Sequence, residues 1–383
     1  MPASNTGSPD TLAIYVHWPF CTRICPYCDF NVVRHRGVED AEWLPAYAAE
    51  LAHLRDLTGG RTVTSIFFGG GTPSLMRAGS VSMLIETAAR LWSVADAAEI
   101  TLEANPTDAE ARRFAEFRAA GVNRLSLGLQ SLDDAALSFL GRWHSAAEGR
   151  AAAAIARRTF ENVSFDLIYG RPGQDEAAWR RELSETLAMA PDHLSLYQLT
   201  IEPGTAFARA AARGTLKPMD GDAAAVLFET SQEICDAHGQ PGYEISNHAV
   251  PGMESRHNLA YWTYADYGGI GPGAHGRVTV GGKKWATENL RAPGDWRERA
   301  VNTGTGLKMR EALGAAQAAR ERIMMGLRLS TGVFLSDDDA DFIDRERLEA
   351  LVSEEFLTYA DDRLCTTRRG RTVLDALLGE ILR

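Results

Sequence analysis

Ala13-Ile14-Tyr15-Val16-His17-Trp18-Pro19-Phe20-Cys21-Thr22-Arg23-Ile24-Cys25-Pro26-Tyr27-Cys28 joins an apolar run, a proline break and three cysteines spaced CxxxCxxC. The β-branched and aromatic residues predict a strand that ends at Pro19 and hands the chain to a cysteine loop. Thiolates this close share a metal or a cluster. Structural zinc is usually closed by four ligands, often in paired knuckles. No second knuckle exists here, so His17 or His35 would have to complete a zinc site. Three thiolates on a [4Fe-4S] cluster instead leave one iron open to a small molecule, as a catalytic metal keeps a position open.

Working outward, short apolar runs alternate with longer Ala/Leu/Arg/Glu segments. Strands are predicted near residues 12–17, 65–68, 100–103, 124–129, 162–168 and 193–199, with helices at 41–57, 79–92, 108–119, 146–158 and 175–190 between them. Six β-then-α units imply right-handed crossovers and a parallel sheet curling into a full or partial (β/α) barrel, with a flat doubly wound sheet as the alternative. In such barrels the active site forms where the strands end. Every predicted strand leads into polar or glycine-rich sequence: the cysteine loop, Gly69-Gly70-Gly71-Thr72, Glu103-Ala104-Asn105-Pro106, Gly128-Leu129-Gln130-Ser131, DLIYGRPGQ from Asp166 and YQLTIEPGT from Tyr197. Polar groups at every strand end point to one shared site. The glycines let backbone approach a ligand closely, and Thr72 adds a hydroxyl. Glu103, Gln130, Arg142 and Asp166 offer the acceptors and donors that a ribose, a carboxylate and an ammonium require.

The remainder of the chain divides into a flexible start (1–10), the barrel (11–238), a Gly- and aromatic-rich extension (239–309) that includes the loop-like stretch to Asn289, and a C-terminal module (310–383). In this last part helices are expected at 312–329, 345–354 and 374–382, with a hairpin at 357–366, a helix-rich, winged-helix-like pattern. Its 12 basic and 15 acidic residues from Thr305 onward argue against a DNA-binding wing. Across 383 residues, 40 basic and 51 acidic side chains give a net charge of -11, which disfavours nucleic acid as a partner. No transmembrane segment or export signal is legible, so a cytoplasmic protein is expected. Cys235 and Cys365 stand alone and read as small apolar residues rather than disulfide partners.

The CxxxCxxC triad in the loop after the first strand resembles the radical S-adenosylmethionine (SAM) family. The resemblance implies a partial (β/α)6 radical SAM barrel. It also implies SAM bound through its methionine amine and carboxylate to the open iron, and cleavage to a 5′-deoxyadenosyl radical. YVHWPFC, FFGGGTPS, EANP, GVNRLSLGLQS, LGRWH, DLIYGRPGQ and YQLTIEPGT further resemble the branch that holds oxygen-independent coproporphyrinogen dehydrogenase and the HemW-type haem chaperones, from Ala13 to about Gly276; the tail is likewise of HemW/HemN type. Carried over by motif position, Tyr15, Gly70, Gly71, Thr72, Glu103, Gln130, Arg142 and Asp166 are the implied SAM contacts, and Cys21, Cys25 and Cys28 the cluster ligands.

Two departures favour the chaperones over the dehydrogenases. The dehydrogenase pattern continues as CxxxCxxCxC, but Phe30 occupies the extra cysteine position here, and only about a dozen residues precede the first strand. His257-Asn258-Leu259-Ala260-Tyr261-Trp262 resembles the HNxxYW signature associated with haem, which implies haem binding by His257, Tyr261 and Trp262; His248, His275, Cys235 and His17 stay open as axial ligands. The resemblance thus implies a haem carrier for acceptor apoproteins such as respiratory enzymes, with homodimerisation, more than an enzyme. Radical oxidative decarboxylation of coproporphyrinogen III is the competing expectation.

Overall fold

The computed structural model describes residues 10–382; residues 1–9, most of the expected flexible start, lie outside them. Leu12, Ile14, Val16 and Trp18 are buried, as is Ala13 on the opposite face, so strand β1 (Thr11–Trp18) is the near-continuous apolar strand that a sheet covered on both faces requires. Beside it in spatial order lie β2 (Thr62–Gly70), β3 (Ser93–Ala104), β4 (Arg124–Gln130), β5 (Asn162–Tyr169) and β6 (His193–Gln198), each parallel to the one before. Helices α1 (Leu44–Thr58), α2 (Ala78–Leu91), α3 (Phe114–Ala119), α4 (Ala146–Thr159) and α5 (Glu176–Ala188) make the crossovers, and α6 (Gly221–Ala237) packs on α5. This is the α/β architecture expected, an open barrel of six parallel strands.

Local sequence accounts for where these helices start. Ser145 caps α4 by accepting from the Glu148 backbone N–H, while the Glu148 carboxylate accepts from Ser145 N at 2.6 Å, a reciprocal box. Asp175 caps α5 through the N–H of Ala178 at 2.7 Å. Each such cap is worth about 1 kcal/mol.

The sheet does not stop at six strands. On one side β7 (Asn247–Ala249) pairs antiparallel with β6; on the other β8 (Tyr267–Ile270) runs parallel beside β1, followed by the antiparallel ribbon of β9 (His275–Val280), β10 (Lys283–Asn289) and β11 (Leu307–Ala312). The glycine-rich stretch read as loop therefore supplies a strand flanking the one that leads into the cysteine loop. Its glycines are there for space: a Cβ on Gly268 would lie 2.4 Å from a Leu54 methyl of α1, and one on Gly269 2.2 Å from the His275 carbonyl oxygen. The helix expected from Ala312 begins instead at Ala315, as α9 (Ala315–Gly326), after α7 (Arg256–Trp262) and α8 (Pro293–Thr303). Leu307–Ala312 is an edge strand, and its exposed Lys308, Arg310 and Glu311 discourage further strand pairing.

Ile323, Leu327, Leu348, Leu364, Leu377 and Ile381 form a second core, where α9, α10 (Arg345–Ser353) and α11 (Leu374–Ile381) pack with a small sheet of Val333–Phe334, Arg363–Thr366 and Leu357–Ala360. Glu321 of α9 joins it to the main sheet by accepting from Arg277 at 2.8 and 3.0 Å and from the Tyr264 hydroxyl at 2.8 Å. Among the described residues no helix is long and apolar enough to cross a membrane.

Candidate cluster and cofactor site

The cysteine loop leaves the C-terminal end of β1. A two-residue pairing of Phe20–Cys21 with Val33–Arg34 closes its base, with Val33 N donating to Pro19 O at 2.8 Å and His35 N to Cys21 O at 2.7 Å. Inside it Cys28 N donates to Cys25 O at 3.1 Å. His17 secures the loop from below. A carbonyl only accepts, so His17 Nε2–H donates to Asn31 O at 2.9 Å, and Nδ1 accepts from the Tyr15 hydroxyl at 3.0 Å. Burial lowers the His17 pKa, in keeping with a neutral ring. Asn31 then donates from Nδ2 to the carbonyls of Pro272 and Arg291, each at 2.9 Å.

These residues discriminate between the two metal readings. Both nitrogens of His17 are engaged, and His35 packs edge-on against the Phe20 ring with centroids 6.3 Å apart. Among the described residues no three Cys, His, Asp or Glu side chains close on a position for a single ion. A mononuclear zinc needs all its ligands within about 2.0–2.3 Å of one point. A cluster spreads its thiolates over several irons, so the donor set fits [4Fe-4S]. Arg142 lies 3.6 Å from Cys25 Sγ; the Thr72 hydroxyl, 3.6 Å from Cys21 Sγ, favours the thiolate, but burial outweighs it and pushes the Cys21 and Cys28 thiols up to about 11.

Beside the three cysteines a cavity of about 590 Å³ runs down into the barrel. All eight expected SAM contacts except the buried wall of Tyr15 and the glycine turn bring side-chain hydrogen-bonding groups to it. The glycine turn is packed under the cysteine loop: Gly71 N donates to Trp18 O at 2.7 Å, Thr72 N to Phe20 O at 2.9 Å, and a Cβ on Gly71 would sit 2.8 Å from three backbone atoms of residues 18–20. Gly70 N donates to Glu103 Oε2 at 3.2 Å. Burial and the neighbouring Asp166 push the Glu103 carboxyl up to about 8, and burial likewise raises Asp166, which accepts from Ser126 Oγ at 2.9 Å. Two buried carboxyls held so close favour a ligand that brings positive charge or hydroxyl donors. Gln130 adopts a left-handed φ of 64°, and its buried Oε1 has no partner among the described residues, leaving an acceptor for a ligand hydroxyl. Arg142 also donates to Gly128 O at 3.1 Å and to Asn105 Oδ1.

Asn105, Ser126 and Arg124 were not singled out from the sequence. Asn105 Nδ2 donates to Thr72 Oγ1 at 3.3 Å. Arg124 lines the cavity, 2% exposed, its Nε 3.9 Å from Glu99 Oε2. The signal for both strand residues was the two-residue period, since Arg124, Ser126, Gly128 and Gln130 share one face of β4.

The haem-signature residues do not converge. His257 and Tyr261 form the inner wall of the same cavity: His257, 2% exposed, meets Ser65 Oγ through Nδ1 at 3.1 Å and the Tyr261 hydroxyl through Nε2 at 3.2 Å, and stacks on Phe67 at 4.9 Å. Burial lowers its pKa to about 3, so the ring is neutral. Trp262 faces away, into a second cleft against the C-terminal module, with the Arg328 guanidinium 4.5 Å above its ring.

Three thiols spaced for a cluster with an open iron, above a polar cavity at the ends of six parallel strands, define a radical SAM protein. Comparison with known proteins agrees. Residues 15–184 match the Radical SAM superfamily and residues 313–373 the HemN C-terminal domain. The chain is 38% identical over 386 residues to a protein of Mycobacterium tuberculosis named Heme chaperone HemW, covering 99% of this chain and 96% of that one. It is 36% identical over 378 residues to Heme chaperone HemW of Escherichia coli, covering 96% and 97%. It is 41% identical over 344 residues, 87% of this chain and 78% of the relative, to the mitochondrial radical S-adenosyl methionine domain-containing protein 1 of Bos taurus. In fold it is similar to coproporphyrinogen III oxidase (HemN) of Escherichia coli, with a TM-score of 0.80 at 22% identity, covering 97% of this chain and 90% of that one. The chain belongs to the HemW family of radical SAM proteins.

Proposed function

We propose that this protein is a haem chaperone, which binds haem and passes it to acceptor apoproteins, haem-dependent respiratory enzymes among them, in the cytoplasm and as a homodimer. The observation that carries the reading is likeness along nearly the whole chain to proteins named Heme chaperone HemW. Phe30, standing where the dehydrogenase pattern has a further cysteine, agrees with it.

In this reading Cys21, Cys25 and Cys28 hold the [4Fe-4S] cluster, whose open iron supplies a site for SAM and a source of one electron. Tyr15, Gly70, Gly71, Thr72, Glu103, Gln130, Arg142 and Asp166 hold SAM. The glycine turn brings backbone close to its amino-acid end, Gln130 accepts from a ribose hydroxyl, and the Glu103–Asp166 pair offsets its positive charge. Arg142 secures the cysteine loop to β4. The helix from His257 to Trp262 belongs to the haem-handling part; ligation of iron by His257 Nε2 would require the Tyr261 hydroxyl to release it.

The test is haem stoichiometry and haem transfer to an apo-acceptor after anaerobic reconstitution, run beside a coproporphyrinogen III turnover assay. One haem bound per chain, passed to the acceptor without steady protoporphyrinogen formation, is expected. Steady turnover without transfer would replace the chaperone by the dehydrogenase.

A further inference from the structure

Three large apolar side chains stand exposed around the mouth of the cluster cavity: Phe30 at 62%, Trp143 at 64% and Ile24 at 46%; Tyr197 reaches deeper, its hydroxyl beside Ser195 and Asp166. The three arrive from two separate segments, the cysteine loop and the turn between the short helix Asp134–Phe139 and α4. An isolated exposed apolar residue needs no explanation, but several gathered on one rim mark a binding surface. Below the rim the cavity is lined by Glu103, Asp166, Arg124 and Arg142, so its chemistry changes from apolar to charged with depth.

The rim also carries a cation. The Arg23 guanidinium lies 5.7 Å from the centroid of the Trp143 ring, and among the described residues no carboxylate pairs with it. A ligand suited to this collar has broad apolar faces to lie against aromatic rings and an anionic edge for Arg23. The charged amino-acid end and the ribose hydroxyls of SAM match the deeper walls instead. A porphyrin with propionate groups has both properties.

We infer that the collar of Phe30, Trp143 and Ile24, with Arg23, is the face on which haem is held, an inference that rests on the chaperone reading above. The macrocycle lies against Trp143 and Phe30, and a propionate pairs with Arg23. The aromatic at position 30 then has a role of its own beyond the absence of a thiolate. The collar and His257 line the same cavity, so haem on the rim covers the approach to the SAM contacts.

The test uses the full chain, reconstituted with cluster and SAM and titrated with haem by visible absorbance. The double variant Phe30→Ala/Trp143→Ala is expected to bind haem about tenfold or more weakly. Its iron and sulfide content, and the change SAM induces in the electron paramagnetic resonance (EPR) spectrum of the reduced cluster, should match the wild type. Trp143→Phe keeps a ring and should stay near wild-type affinity. Arg23→Glu should weaken binding of haem but leave its dimethyl ester, which lacks the propionate charges, little changed. Should Phe30→Ala lose iron, Trp143→Ala alone, off the cysteine loop, decides. Wild-type haem affinity in these variants overturns the assignment, and so does normal binding with failed transfer, which would make the collar a surface for the acceptor protein. A wild-type chain that binds no haem ends the chaperone reading itself.

Discussion

Arg142 holds Cys25 from outside the cysteine loop, its guanidinium 3.6 Å from the sulfur, while its other amino nitrogen donates to the Gly128 carbonyl at 3.1 Å. One side chain thereby ties Cys25 to the strand that bears Gln130. A lysine has a single nitrogen and cannot span both.

Arg142→Lys is therefore expected to retain most of its iron but to bind SAM about 10- to 100-fold more weakly, the loss of one or two hydrogen bonds involving a charged group. Isothermal titration of the reconstituted protein with SAM reads this directly. Unchanged affinity would confine Arg142 to a structural role.

Gly71→Ala places a methyl carbon 2.8 Å from the Phe20 oxygen, the Trp18 oxygen and the Pro19 carbonyl carbon, none of which is a side-chain end that can swing away. Destabilisation of about 1–3 kcal/mol is expected, as for other overpacked positions. Iron content should fall with it, because the displaced backbone leads into Cys21. Urea denaturation and iron analysis check the two effects separately.

Glu50 of α1 is buried and accepts from Gly271 N and Gly306 N at 2.8 Å each and from Asn289 Nδ2 at 2.9 Å. Burial nonetheless pushes its pKa up from 4.5 to about 7. Between those values the folded protein keeps a proton that the unfolded chain has lost. The contribution is fully present below pH 4.5 and is lost as pH rises to about 7, with a slope on the order of 1 kcal/mol per pH unit. Glu50→Gln should flatten that part of the stability profile from pH 5 to 7. Glu103 and Asp166 are raised for the same reason and slope the same way, so the difference between variant and wild type is the quantity to measure; identical slopes would exclude Glu50.

His257→Ala removes the ring between Ser65 and Tyr261 and leaves the cysteines untouched. Haem affinity is expected to drop while iron content holds, followed by absorbance titration and metal analysis. If haem binds as tightly as before, its iron is ligated by another residue.

The barrel and the cluster were legible because their signals are local. The apolar run before Pro19 and the three cysteines lie next to one another, and each strand end shows its polar loop directly. Tyr267–Ile270 was not legible, because two glycines in a four-residue strand read as loop; only contact with Leu54, distant in the chain, and with His275 of the next strand makes them necessary. Arg124 was not singled out, and the face it shares with Gln130 turns it inward. The haem signature divides for a geometric reason. Residues four apart, His257 and Tyr261, stack on one face of a helix, and the next residue is turned by about 100° from Tyr261. Trp262 therefore enters a different cleft.

Asn31 has a consequence for how the protein is made. Its side chain is held by carbonyls of Pro272 and Arg291, and β1 gains its neighbour β8 only when Tyr267–Ile270 is in place. A nascent chain that has not yet reached Arg291 has all three cysteines but lacks the clasp that closes their loop. Synthesis thus runs ahead of metal loading: the iron–sulfur assembly machinery would meet a finished cradle only late in translation or after release from the ribosome, with the thiols exposed to oxidants until then.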